Sequence, residues 1–165
     1  MPVRRENNLS VAILRQRAHY EPETGKFTRI TKTRGFFVGS EMGCDRGDGR
    51  IAIHFAGRTY LRSRLAWFYS YGEWPDGEID HVNCNQSDDR IKNLRVATRK
   101  QNLANTRLSA RNTSGYKGVY WSKKASKWMA RHGGKYLGVY ECPQEAHDKY
   151  VEFLKMSHGE FARGG

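Results

Sequence analysis

The sequence predicts an α+β chain in which small antiparallel strand groups sit beside short helices. Three observations carry that expectation. Leu9, Ile13 and Leu14, and later Leu65, Trp67, Phe68 and Tyr71, recur at helical spacing. Apolar runs such as Arg50 to Phe55 and Arg58 to Leu61 are joined by turn residues. Beyond a polar stretch, Asn105 to Ser114, three aromatic-rich runs precede one amphipathic segment, which predicts a small three-stranded antiparallel sheet packed on a helix.

Taken in order, Leu9 to Arg17 reads as a helix with Asn7 or Asn8 as its cap, and Pro22-Glu23-Thr24-Gly25 turns the chain into a strand at Lys26 to Ile30. Gly39 to Gly49 is glycine-rich and reads as irregular. Ala56-Gly57 joins a hairpin. Ser63 to Tyr71 reads as a helix stopped by Gly72, its aromatics directed to the core. Trp74-Pro75-Asp76-Gly77 then leads into a short strand ending at His81. Thr98 and Gln101 have the spacing of a capping box, which starts a helix running to about Leu108. Tyr116 to Trp121, Lys127 to His132 and Tyr136 to Tyr140 are the three later strands. Pro143 opens the last helix, with Ala146, Tyr150, Phe153 and Leu154 on one face.

The chain has 165 residues and a formal net charge of +12, a balance that points to a polyanionic partner. Arg90 to Lys135 contains thirteen Lys and Arg and no acid, whereas acids gather between Glu73 and Asp89. Cys44, Cys84 and Cys142 are widely separated and form no CxxC pair, so neither a zinc ribbon nor a disulfide framework is indicated and a reduced intracellular setting is expected. No apolar run reaches membrane-spanning length and the first ten residues are polar, so neither membrane span nor signal peptide is expected.

The chemistry concentrates at Asp80-His81, Asn93 and Asn102. An acid and an imidazole stand side by side at a strand end, and two amides return from a loop and a helix start. Asp80 and Asn102 supply oxygen ligands for one hard divalent cation, leaving its other positions to water and phosphate oxygens. His81, with an ordinary imidazole pKa of about 6.5, is the general base for an attacking water. Asn93 is assigned to holding the loop backbone. Asn83, Asn85, Asp88 and Asp89 read as turn residues.

These residues carry a resemblance. Arg64-Leu65-Ala66-Trp67, Gly72-Glu73-Trp74-Pro75, Ile79-Asp80-His81 and Asn93-Leu94-Arg95 look like the HNH endonucleases of the phage and intron homing kind, over roughly Thr59 to Asn105. The resemblance implies a ββα-metal nuclease module whose strand presents Asp80 and His81 and whose helix presents Asn102, with Asn93 as support. Many relatives have histidine where this chain has Asn102, which favours Mg²⁺, with Mn²⁺ as the alternative.

Downstream, Ser114-Gly115-Tyr116-Lys117-Gly118-Val119-Tyr120-Trp121, Lys127-Trp128-Met129-Ala130-Arg131 and Tyr136-Leu137-Gly138-Val139-Tyr140 resemble the Apetala-two/ethylene-response-factor DNA-binding domain. The resemblance implies a sheet laid in the major groove of double-stranded DNA. Lys117, Tyr120, Trp121, Lys123, Lys127, Trp128 and Arg131 are then the contact candidates, and alternation places some of them on the helix-packed face. Relatives often carry arginine at 117 and 120; neither Lys117 nor Tyr120 offers a planar bidentate fork, so base specificity is expected to be weaker.

The expected organisation is thus an N-terminal extension of helix and β-hairpins (1–58), an HNH module (59–108) and a DNA reader (109–165). A metal-dependent DNA endonuclease is the leading reading. A non-enzymatic DNA-binding regulator that keeps the scaffold, and cleavage of RNA, stay open beside it. The sequence leaves monomer and homodimer open.

Overall fold

Ser10, not Asn7 or Asn8, caps the first helix, α1 (Val11–Arg17): its hydroxyl accepts from the Ala12 amide at 3.2 Å. The computed structural model describes residues 9–106 and 108–162, so both asparagines lie outside the described residues. The chain divides into two compact units between Ala97 and Thr98.

In the first unit α1 runs directly into β1 (Ala18–Glu21), which pairs with β2 (Lys26–Arg29), and β2 with β3 (Glu41–Met42). A second sheet joins β4 (Cys44–Asp45), β5 (Ile51–Phe55) and β6 (Arg58–Leu61). The glycine-rich stretch expected to be irregular therefore contributes two short strands, β3 and β4, because each finds a hairpin neighbour to pair with. Helix α2 (Arg62–Tyr71) follows β6 without a loop and ends at Gly72. The last elements are β7 (Glu78–His81), a 3₁₀ turn (Ile91–Asn93) and β8 (Leu94–Ala97), with β7 and β8 antiparallel.

One core serves these elements, with β4 at its exposed edge. Leu14, Tyr20, Phe27, Met42 and Ile53 come from before residue 58, Leu65, Phe68 and Leu94 from after it, and all are buried together. The described residues before position 58 and the β7–β8 hairpin thus share one core. Of the α2 aromatics, Phe68 is buried and stacks on Trp74 at 4.2 Å, while Trp67 is half-buried. Tyr71 departs from its expected core position: it is exposed and lies against Trp67 at 4.4 Å.

The second unit begins with α3 (Arg99–Ala104). Thr98 accepts from the Gln101 amide and the Gln101 side chain accepts from the Thr98 amide, the reciprocal pair expected from the sequence. The helix ends at Ala104 rather than near Leu108. Lys117 Nζ donates to Ala104 O at the helix end and to Thr106 O just beyond it, both at 2.6 Å.

Strands β9 (Val119–Ser122), β10 (Lys127–His132) and β11 (Lys135–Tyr140) form an antiparallel sheet in the order β11-β10-β9, and α4 (Pro143–His158) packs on it. Val119, Ala130, Ala146, Tyr150 and Leu154 make its core. Gly118 lets the sheet and helix meet, since a Cβ there would stand 2.2 Å from the Tyr150 ring. The whole chain is mixed α+β, with several small antiparallel sheets and four α-helices among the described residues. No helix among them is long and apolar enough to cross a membrane.

Candidate active site

The β7–β8 register sets the first contacts. Asp80 lies opposite Arg95 and His81 opposite Leu94. Asp80 is buried, and its Oδ2 accepts from Arg95 Nε at 2.8 Å. The strand is held from behind by α2: Arg64 donates to Gly77 O at 2.7 Å and to Pro75 O at 3.3 Å, fixing the turn that feeds β7.

Asn93 ties the loop between the strands to its base. Its Oδ1 accepts from the Asn83 amide at 3.0 Å, and its Nδ2 donates to Asp88 O at 2.7 Å and to Asn83 Oδ1 at 3.0 Å. The Asn93 carbonyl also accepts from the Val82 amide. Asn83 and Asn85 act as turn residues, each accepting from a backbone amide two positions on. Asp88 accepts from Asn83 and pairs with Arg90; the Arg90 guanidinium beside it holds its carboxyl down at about 2.

Asp89 departs from the turn-residue expectation. It is 1% exposed and stands between two partners: Oδ1 is 2.8 Å from His81 Nε2, and Oδ2 accepts from Arg62 Nε at 2.7 Å. Arg62, at the start of α2 and itself buried, also donates to Ser87 O at 2.8 Å. The backbone of Asp89 is held as well. Tyr20 donates its hydroxyl to Asp89 O at 2.7 Å, and burial pushes the Tyr20 phenol far up, so it remains a donor. Gly25, at the β1–β2 turn and with φ +72°, approaches this backbone so closely that a Cβ would lie 2.5 Å from Arg90 N.

Asp88 and Asp89 lie outside any strand, so strand alternation in the sequence offered no signal that separates them. Arg62 carried none, being 27 residues away at a helix start.

Asn102 lies on α3, four residues after the Thr98 cap, and is half-buried in the second unit. Among the described residues no three His, Cys, Asp or Glu side chains converge as a metal cage. A carboxylate oxygen is the kind of ligand a hard divalent cation takes. Asp80 offers such an oxygen, since a carboxylate has two acceptor oxygens.

On the second unit the contact candidates separate by face. Cross-strand pairing aligns Tyr120, Met129 and Val139, with Lys127 and Arg131 on the same side, and α4 packs on the other. Tyr120 and Arg131 are exposed on the open face, together with Tyr136, the partner of Arg131, which sequence reasoning passed over. Lys123 is exposed in the β9–β10 turn, and Lys127 pairs with Glu141. Trp121 and Trp128 oppose each other on the side of Val119 and Ala130, and Trp128 packs against the core. Lys117 is a correction: it is buried, with its ammonium committed to the Ala104 and Thr106 carbonyls, and so is withdrawn from the reading surface.

Residues 60–104 match the family model described as HNH endonuclease. Protein 3.8 of Escherichia phage T7 is 41% identical over 63 residues, 38% of this chain and 52% of that protein. The chain thus spans about half the length of that relative. No solved structure matches. The buried Asp80–His81 pair lies within the segment that matches the HNH endonuclease model.

Proposed function

We propose that the protein is a metal-dependent DNA endonuclease of the phage or homing kind, with His81 as general base and Asp80 and Asn102 as ligands of one divalent cation. One observation carries the reading: within the HNH-matched segment, Asp80 and His81 are adjacent on β7 and buried, Asp80 held by Arg95 and His81 by Asp89. Isolated acids or histidines on a soluble surface need no such support.

The residues divide the work. His81 takes a proton from water as the oxygen attacks phosphorus; a P–O bond forms, the bond to the 3′ oxygen breaks, and that oxygen takes a proton from solvent water, leaving 5′-phosphate and 3′-hydroxyl ends. A base so placed contributes about 10²–10⁴-fold. Mg²⁺, or Mn²⁺ in its place, supplies Lewis-acid stabilisation of the phosphate and leaving oxygen when bound. Arg95 keeps the Asp80 carboxylate oriented, and Asn93 keeps the loop from drifting away from β7.

Double-stranded DNA is the proposed substrate. The charge of +12 favours a polyanion, and the open face of the β9–β11 sheet offers Tyr120, Lys127, Arg131 and Tyr136 beside Lys123 in its turn. A sheet of this kind laid in the major groove, as in Apetala-two-like domains, would use that face and leave Trp121 and Trp128 on the helix side. The test is nicking or cutting of supercoiled DNA bearing a target site in the presence of Mg²⁺. His81→Ala should abolish cleavage while DNA binding persists. Cleavage undiminished in that variant overturns the assignment, and binding without cleavage by the wild type would favour a non-enzymatic regulator.

A further inference from the structure

We infer that Asp89, itself fixed by Arg62, is a positioning residue that sets the tautomer and orientation of His81, the base of the nuclease reading. The consequence for catalysis rests on the nuclease reading; the tautomer does not.

Hydrogen-bonding capacity leads to the assignment. Asp89 Oδ1 lies 2.8 Å from His81 Nε2, and Oδ2 lies 2.7 Å from Arg62 Nε. An arginine side chain has donors only, and an ionised carboxylate acceptors only. Arg62 therefore keeps Asp89 an acceptor, and His81 must present Nε2–H to it. In the neutral ring the basic lone pair is then on Nδ1. Orientation follows too, because β7 anchors one end of the side chain and Asp89 the other.

Burial argues that the arrangement has a task beyond stability. Side-chain exposures are 2% for Asp89, 7% for Arg62 and 8% for His81. Taking charges out of water is costly, and well-packed apolar residues commonly stabilise a core as well or better. A turn between two strands requires no such cluster. A base that must hold one tautomer does, as the serine-protease triad illustrates in an unrelated fold.

Asp89→Asn tests this with almost no change of shape. Arg62 still offers only donors, so the amide oxygen must face Arg62 and Nδ2 must face His81. Nε2 then accepts, and the ring proton moves to Nδ1. Long-range ¹H–¹⁵N spectra of the full chain, recorded above the histidine titration, should show His81 as the Nε2–H tautomer in the wild type and as Nδ1–H in the variant. With Mg²⁺ and target DNA, kcat should fall about 10²–10⁴-fold, with KM changed by less than about threefold.

An Nδ1–H wild-type ring, or one tautomer in both proteins, overturns the inference. Should Asp89→Asn fail to fold, the wild-type spectrum alone decides. A protein that shows the tautomer switch but cuts no DNA in either form refutes the nuclease reading and leaves the positioning contact standing.

Discussion

The β7–β8 loop and the open face of the β9–β11 sheet are both rich in polar side chains, yet they place them in opposite ways. In the loop, Arg62, Arg90 and Arg95 pair with Asp89, Asp88 and Asp80, and Asn93 bridges the chain to itself. On the sheet, Arg131 and Tyr120 stand exposed, with their supporting residues, Val119, Ala130 and Tyr150, hidden behind. The difference follows from the tasks proposed for them. A reacting group must be held in one geometry by its neighbours, whereas a recognition surface leaves its polar groups available and relies on a rigid interior. Substitutions in the first region should therefore change stability and chemistry together, and on the second surface change binding alone.

The sharpest way to break this contrast is Asn93→Ala. It removes three hydrogen bonds and leaves the Asn83 amide and the Asp88 carbonyl without their partner. A loss of about 1–3 kcal/mol is expected by chemical denaturation. Hydrogen exchange at the Asn83 amide should accelerate, and cleavage should fall with it. Unchanged stability and exchange would show that the loop is fixed by other means.

What was legible in advance follows the range of the interactions involved. The Thr98–Gln101 box, the Ala56-Gly57 hairpin and the Pro143 helix start are local, so spacing was enough to place them. β1 and β8 escaped notice because each is four residues long and is stabilised by pairing rather than by its own pattern. Asp80, His81 and Asn93 could be singled out by residue type, but their partners could not. Arg95 meets Asp80 only through the hairpin register, and Asp89 meets Arg62 only through the tertiary fold. Lys117 misled for the same reason: a lysine beside an aromatic strand looks like a phosphate contact until the end of α3 is seen to require it.

The second contrast lies within the basic residues of the second unit. Lys117→Met should cost about 1–3 kcal/mol, since it leaves the Ala104 and Thr106 carbonyls without their donor. Arg131→Ala, on the exposed face, should stay within about 0.5 kcal/mol in stability. If Arg131 meets a DNA phosphate, its removal should lower the log–log salt slope of binding by about 0.9. Denaturation and salt-titrated binding on both variants separate the two roles. A stable Lys117→Met protein with weakened DNA binding would return Lys117 to the reading surface.

The smallest effect expected is a difference in acid response. In the second unit, burial together with the neighbouring His158 and Lys117 lowers the pKa of His132 from its ordinary 6.5. The folded state therefore favours the neutral ring, and stability from this group is full above 6.5 and declines as pH falls below it. In the loop, Asp88 is held at about 2 against an ordinary 3.8, chiefly by its bond to Arg90. Its contribution is complete above 3.8 and is lost as pH falls through about 2. Residue-resolved hydrogen exchange across that range should thus show the His132 region loosening before the Asp88 turn. Asp88→Asn should remove the later step without moving the earlier one, because the two groups belong to separate units. A loop that loosens first on acidification would mean that its ion pairs, and not the histidine, are the weaker support.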